Sequence, residues 1–89
     1  MKTAREQNSG VLRPLCLSAA DVGRLLSISP RQVYAMHTNG ILGPVPVSLS
    51  ERLTRWDRAE IEAWWAATRA AGRPIARAEW LRQQKTEGP

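Results

Sequence analysis

Three stretches of this chain carry the same start signal for a helix, and their spacing constrains the fold more than any other feature of its 89 residues. In each, a Ser or Asp oxygen can satisfy an orphan N–H of the first turn, and an acid or amide three residues on can answer it. Apolar residues on either side of the cap clamp the incoming chain. Ser18 caps the first, with Asp21 at the box position and Leu17 stapling to Val22. The pattern predicts a helix from Ala19 to about Ser27 that buries Val22, Leu25 and Leu26. Ser29 caps the second, Pro30 takes the first helical position where its missing N–H costs nothing, Gln32 closes the box and Ile28 staples to Val33. That helix runs to about Asn39, where Gly40 and Ile41, packing back on Met36, make a Schellman close. Asp57 caps the third, with Glu60 completing the box and Trp56 stapling to Ile61, and it ends at about Ala71 before Gly72 and Pro74.

Between the second and third helices Pro44 and Pro46 forbid helix, and Val47, Leu49, Leu53 and Trp56 are spaced as in extended chain. A two-stranded hairpin is expected, from about Val45 to Leu49 and Leu53 to Trp56, with Ser50, Glu51 and Arg52 at its tip. The prolines place the first strand at an edge. Residues 1–13 are polar enough for a flexible tail, 14–73 form the folded domain, and 74–89 are a C-terminal extension. Within that extension ARAEWLRQQK is expected to form a short helix whose Trp80 packs on the third helix or on a second copy of the chain.

A chain of this length buries one core of marginal stability. With Cys16 as the single cysteine no intramolecular disulfide can form, and without clustered His or acid ligands it builds no zinc site. It reads as a small buried hydrophobe. No apolar run approaches the roughly 20 residues that span a bilayer, and the opening MKTAREQNSG lacks a signal peptide's apolar stretch. A soluble cytoplasmic protein that does not engage membranes is expected. His37 and Cys16 have no matched partners for nucleophilic or acid–base chemistry, and phosphate-loop and dinucleotide patterns are missing. The expectation is therefore a non-enzyme without cofactor or metal.

Helix, tight turn, helix, hairpin, helix is the order of a winged helix-turn-helix, a mainly α fold with a small β-hairpin. In that fold the second helix enters the major groove of duplex DNA and the hairpin reaches an adjacent groove or the backbone. The charge agrees: 13 Lys+Arg against 8 Asp+Glu, net +5 and a pI near 10.7, favour a polyanion. Around Val33 as inward centre, Met36 and His37 fall on the core side of the second helix. Arg31, Ala35 and Thr38 point away, flanked by Gln32 and Tyr34. Arg31 suits guanine edges or a phosphate and Gln32 an adenine edge; Ala35 permits close approach; Tyr34 and Thr38 can donate to phosphates. The first-turn N–H groups beside Ser29 can hold a phosphate. The candidate DNA-binding set is Ser18, Ser29, Arg31, Gln32, Tyr34, Ala35, Thr38, Ser50, Arg52 and Arg55. Competing uses exist: Arg31 as a solvated first-turn charge, Gln32 spent on its capping box, and Arg52 and Arg55 as the charges that keep a hairpin soluble.

LSAADVGRLLSISPRQVYAMHTNGIL and RLTRWDRAEIEAWW, within Leu17 to about Trp65, resemble the small MerR-like winged helix-turn-helix proteins that include phage excisionases and AlpA-like regulators. The likeness lies in the capped first helix, the Ser and Arg before Val33-Tyr34, the Gly40-apolar exit, and Arg55-Trp56 ahead of the Asp57 cap. It implies binding to double-stranded DNA without catalysis, as an excisionase that directs a recombinase or integrase, or as a regulator at promoters. Repeated copies or a cooperative array on DNA would suit it. Two departures stand out: Ala35 where the family often carries a larger, basic residue, and a run from Ile41 to Glu51 longer and richer in proline than the usual wing. The alternative is an adaptor acting through protein contacts, such as an antitoxin or small packaging subunit. Four tryptophans are many for so small a core, and Trp64, Trp65 and Trp80 are not expected all to be buried.

Overall fold

The first two helices begin where their caps place them. In the computed structural model, which describes residues 13–87, helix α1 spans Ala19–Leu26 and α2 spans Pro30–Thr38. Both capping boxes are closed: Ser18 Oγ accepts from Asp21 N at 3.1 Å while Ser18 N donates to the Asp21 carboxylate at 3.2 Å. The matching bonds between Ser29 and Gln32 measure 3.1 and 2.9 Å. The flexible tail expected over residues 1–13 lies outside the described residues apart from Arg13.

Helix α1 stops at Ser27, whose backbone turns left-handed at φ 63° and whose N–H donates to Gly23 O. Ile28 N donates to the same carbonyl at 2.8 Å, so the chain reverses within Ser27 and Ile28 and delivers Ser29 to cap α2. Gly23 makes this possible, because a Cβ there would lie 2.5 Å from Ile28 O. At the far end of α2, Ile41 N donates to Met36 O (2.9 Å) and Gly40 N to His37 O (3.1 Å), the bond pair of a Schellman motif, with Gly40 at φ 74°.

Strand β2, Val47–Ser50, pairs antiparallel with β3, Leu53–Asp57, across a tight turn at Glu51 and Arg52. The expected first strand began two residues earlier, but Pro46 has no N–H to give and Val47 is the first residue that pairs. Ser50 lies in the strand opposite Leu53, after an irregularity between Ser48 and Ser50. A third strand was not anticipated: β1, Cys16–Leu17, pairs with β3, giving an antiparallel sheet of order β1-β3-β2. Two residues are too few to show alternation. They are held in place by Arg58 N donating to Leu15 O at 3.0 Å.

Helix α3, Arg58–Ala71, starts at the Asp57 cap, whose carboxylate accepts from Glu60 N at 2.8 Å, and stops at Gly72. The fourth helix, α4, spans Arg77–Glu87. The described residues thus form four helices with a small three-stranded antiparallel sheet. Leu17, Val22, Val33, Leu42, Trp56, Ile61 and Trp64 share one core with Ile75 and Trp80, so the segment after Pro74 packs on this chain's own interior. Its approach is fixed by α3, where Trp64 Nε1 donates to Ile75 O at 2.8 Å and Thr68 Oγ1 accepts from Ile75 N at 3.3 Å.

Three expectations need correction. Leu25 is 57% exposed, because α1 buries the row Ala19, Val22, Gly23 and, partly, Leu26, and the close pass of Gly23 against Ile28 fixes that rotation. Cys16 is half-buried, since β1 lies at the edge of the sheet. Glu60 does not close a box; its carboxylate accepts from Trp80 Nε1. Of the four tryptophans only Trp65 stays largely exposed, at 47%.

Candidate nucleic-acid interface

Helix α2 rests on Trp56 of β3. The Tyr34 ring stands edge-on to the Trp56 ring with centroids 6.1 Å apart, and the His37 ring does so at 5.8 Å. Val33 is fully buried and Met36 and His37 are half-buried, which leaves Arg31, Ala35 and Thr38 exposed on the opposite face, flanked by the exposed Gln32 and Tyr34. Arg31 makes no ion pair among the described residues. No acidic residue occurs between Asp21 and Glu51, so α2 and the chain segments on either side of it carry no negative side chain.

The two capping serines differ in what surrounds them. Ser18 is half-buried, and its hydroxyl and amide are both engaged with Asp21. Those backbone and hydroxyl hydrogen bonds, with help from Arg24, hold the Asp21 carboxyl below its usual range, so a negative charge sits at that helix start. Ser29 is exposed and its box partner is the neutral Gln32, whose Oε1 is spent on Ser29 N while its amide N–H groups face solvent. An incoming phosphate would meet a carboxylate at the start of α1 and none at the start of α2, where Arg31 lies in the first turn.

The hairpin extends from the Trp56 floor. Ser50 is exposed and its carbonyl accepts from Ser48 Oγ at 2.9 Å. Arg52 is exposed on the turn beside Glu51. Arg55 is half-buried, lies opposite Val47 and donates to Thr54 O at 2.9 Å. Val45, Val47, Leu49 and Leu53 are exposed, which makes this hairpin more apolar than its arginines alone imply. A second exposed apolar surface lies between α1 and α3, a shallow trough lined by Leu25, Leu26, Ile61, Glu62 and Trp65. Among the described residues no three His, Cys, Asp or Glu side chains gather in a metal-ligating cluster.

Sequence reasoning passed over Arg77. This side chain reaches from the first turn of α4 to the end of α2, where its Nη2 donates to His37 O at 2.8 Å and to Leu42 O at 3.2 Å. The same nitrogen faces His37 Nδ1 at 2.9 Å. Burial, and then this neighbouring cation, hold the His37 imidazole below its usual pKa. Nothing in the local pattern ARAEWL marks that arginine, because its partners lie 35 and 40 residues away. No helix among the described residues is long and apolar enough to cross a membrane. Comparison with known protein families, with characterised proteins and with solved structures finds no match to this chain.

Proposed function

We propose that this protein is a winged helix-turn-helix, sequence-specific binder of double-stranded DNA, with α2 in the major groove and the β2–β3 hairpin as its wing. The observation that carries the reading is the exposed side of α2, where Arg31, Gln32, Tyr34, Ala35 and Thr38 stand together within a stretch of chain that has no acidic residue between Asp21 and Glu51. Such a face offers a guanidinium fork, an amide and two hydroxyls to base edges and phosphates, with Ala35 allowing the helix to approach closely. Beside them Ser29 caps a helix start that bears no carboxylate, and Ser50, Arg52 and Arg55 supply backbone contacts from the wing. Ser18 contributes least, being next to the Asp21 carboxylate. The role is non-catalytic and cytoplasmic, as an excisionase directing an integrase or as a small transcriptional regulator, with copies arrayed on DNA.

A second reading, an adaptor that acts through protein contacts, draws on the exposed Leu25 and Trp65 of the trough between α1 and α3. Affinity for random duplex as a function of salt separates the two. Phosphate neutralisation makes log K fall linearly with log salt, with a slope of about −0.9 per phosphate contacted. A slope of roughly −3 or steeper is expected, and no duplex binding at low salt would remove the DNA reading.

A further inference from the structure

We infer that Arg77 is a positioning residue for α2, so that helix α4 sets the attitude of the helix proposed above to read DNA; the inference rests on that reading. Helix α2 is only nine residues long, and its C-terminal exit through Gly40, Ile41 and Leu42 has to be pinned if its exposed side chains are to keep one register against a groove. Arg77 pins it with both its backbone and its side chain. Arg77 N donates to Gly40 O at 2.9 Å, and Nη2 donates to His37 O at 2.8 Å and Leu42 O at 3.2 Å. These carbonyls bracket the Schellman turn, where a helix presents its negative end and a guanidinium is the favoured partner. Contact with His37 Nδ1 at 2.9 Å adds a fourth point. With the two Nη2 hydrogens shared among three acceptors, this contact favours the Nε2–H tautomer of the imidazole, because a guanidinium can only donate.

The clamp has a firm base. Ile75, two residues before Arg77, is buried and held to α3 through Trp64 and Thr68. Trp80, one turn after it, is buried and tied to Glu60 at 2.8 Å. On its other side His37 stands against the Trp56 ring, so the clamp joins the α4 base to the β3 floor through the last turn of α2. Arg77 is half-buried and turned into this junction, and its Nε is buried with no hydrogen-bond partner. It acts on DNA through α2 and makes no phosphate contact of its own.

The test uses the full chain with Arg77→Lys, which keeps the charge but ends one bond short of Nη2, and Arg77→Met, which keeps the stem's packing. The DNA probes are a duplex selected by the wild-type protein from a random-sequence pool, and an unselected duplex. Both variants are expected to lose about tenfold in affinity for the selected duplex, keep wild-type affinity for the unselected one, and leave the salt slope unchanged. The His37 imidazole ¹⁵N signals should lose the Nε2–H tautomer signature, and the Gly40 to Leu42 amides should exchange at least tenfold faster. A salt slope shallower by about one unit would make Arg77 a phosphate contact and overturn the inference, as would wild-type affinity for the selected duplex in both variants. If the wild-type chain binds no duplex, the DNA reading fails on its own. Unchanged His37 signals and amide exchange overturn the clamp separately. Should the Met variant fail to fold, Arg77→Gln, which removes the charge and keeps a polar end, carries the salt-slope arm and the Lys variant the others.

Discussion

Trp80 Nε1 donates to the Glu60 carboxylate at 2.8 Å, joining the start of α4 to the first turn of α3. The indole is 3% exposed, so its apolar burial outweighs the single hydrogen bond in holding α4 to the core. Trp80→Ala is expected to cost about 3–5 kcal/mol. Glu60→Gln, which keeps an acceptor, should cost under about 1 kcal/mol. Urea unfolding followed by tryptophan fluorescence gives both values, and a larger loss from the Glu60 substitution would reverse the assignment.

Gly23 sets the tightness of the turn between α1 and α2. Ala normally favours a helix interior over Gly by about 0.5–1 kcal/mol. Here the new methyl would lie 2.5 Å from Ile28 O, a backbone atom that cannot swing aside. Gly23→Ala should therefore destabilise, by about 2 kcal/mol or more. A raised melting temperature in this variant would show that the two helices do not approach this closely.

Arg31 carries most of the proposed base reading, since Ala35 is short and Gln32 Oε1 is engaged with Ser29 N. Arg31→Ala should weaken binding to the selected duplex by about 1–3 kcal/mol and flatten preference at one base pair. Arg24 is paired with the Asp21 carboxylate on α1, and Arg24→Ala should leave that preference intact. Repeating the selection with each variant measures this directly, and an unchanged preference for Arg31→Ala would remove it from the reading set.

His37 makes stability depend on pH. Burial first, and the Arg77 guanidinium second, lower its pKa in the folded chain, so the unfolded chain holds the proton more tightly. Its contribution is full above the unfolded value of about 6.5 and is lost as the pH falls from there towards the folded pKa. Asp21, also lowered, acts only in the acid range below about pH 4. Melting temperatures between pH 5 and 7 should rise with pH in the wild-type chain and rise less in His37→Gln. Equal slopes would show that the imidazole is not desolvated.

How much of this was legible in the sequence depended on how local the signal is. Both Ser capping boxes, Pro30 at the head of α2 and the Gly40 close are written within a few residues and formed where those residues placed them, and the hairpin formed with Ser50 in its strand and the turn narrowed to Glu51 and Arg52. What was missed is long-range. Leu25 has the right spacing for a core face, yet the contact of Gly23 with Ile28 rotates it outwards. Glu60 fits a capping box, but the indole of Trp80 takes it. Strand β1 exists only because β3 offers Cys16 and Leu17 a partner at Asp57 and Trp56. Within the candidate site, the exposed face of α2 followed from helical periodicity, whereas Arg77 is visible only once the ends of α2 and α4 are brought together.

The most direct test of α2 as the reading element is a titration of the ¹⁵N-labelled chain with the selected duplex, following every backbone amide. The largest shifts are expected at Arg31, Gln32, Tyr34, Ala35 and Thr38, with smaller ones at Ser50, Arg52 and Arg55. Amides at Leu25 and Trp65 should stay in place. Shifts concentrated at Leu25 and Trp65 with α2 unmoved, or none at all, would contradict the assignment of α2 to DNA.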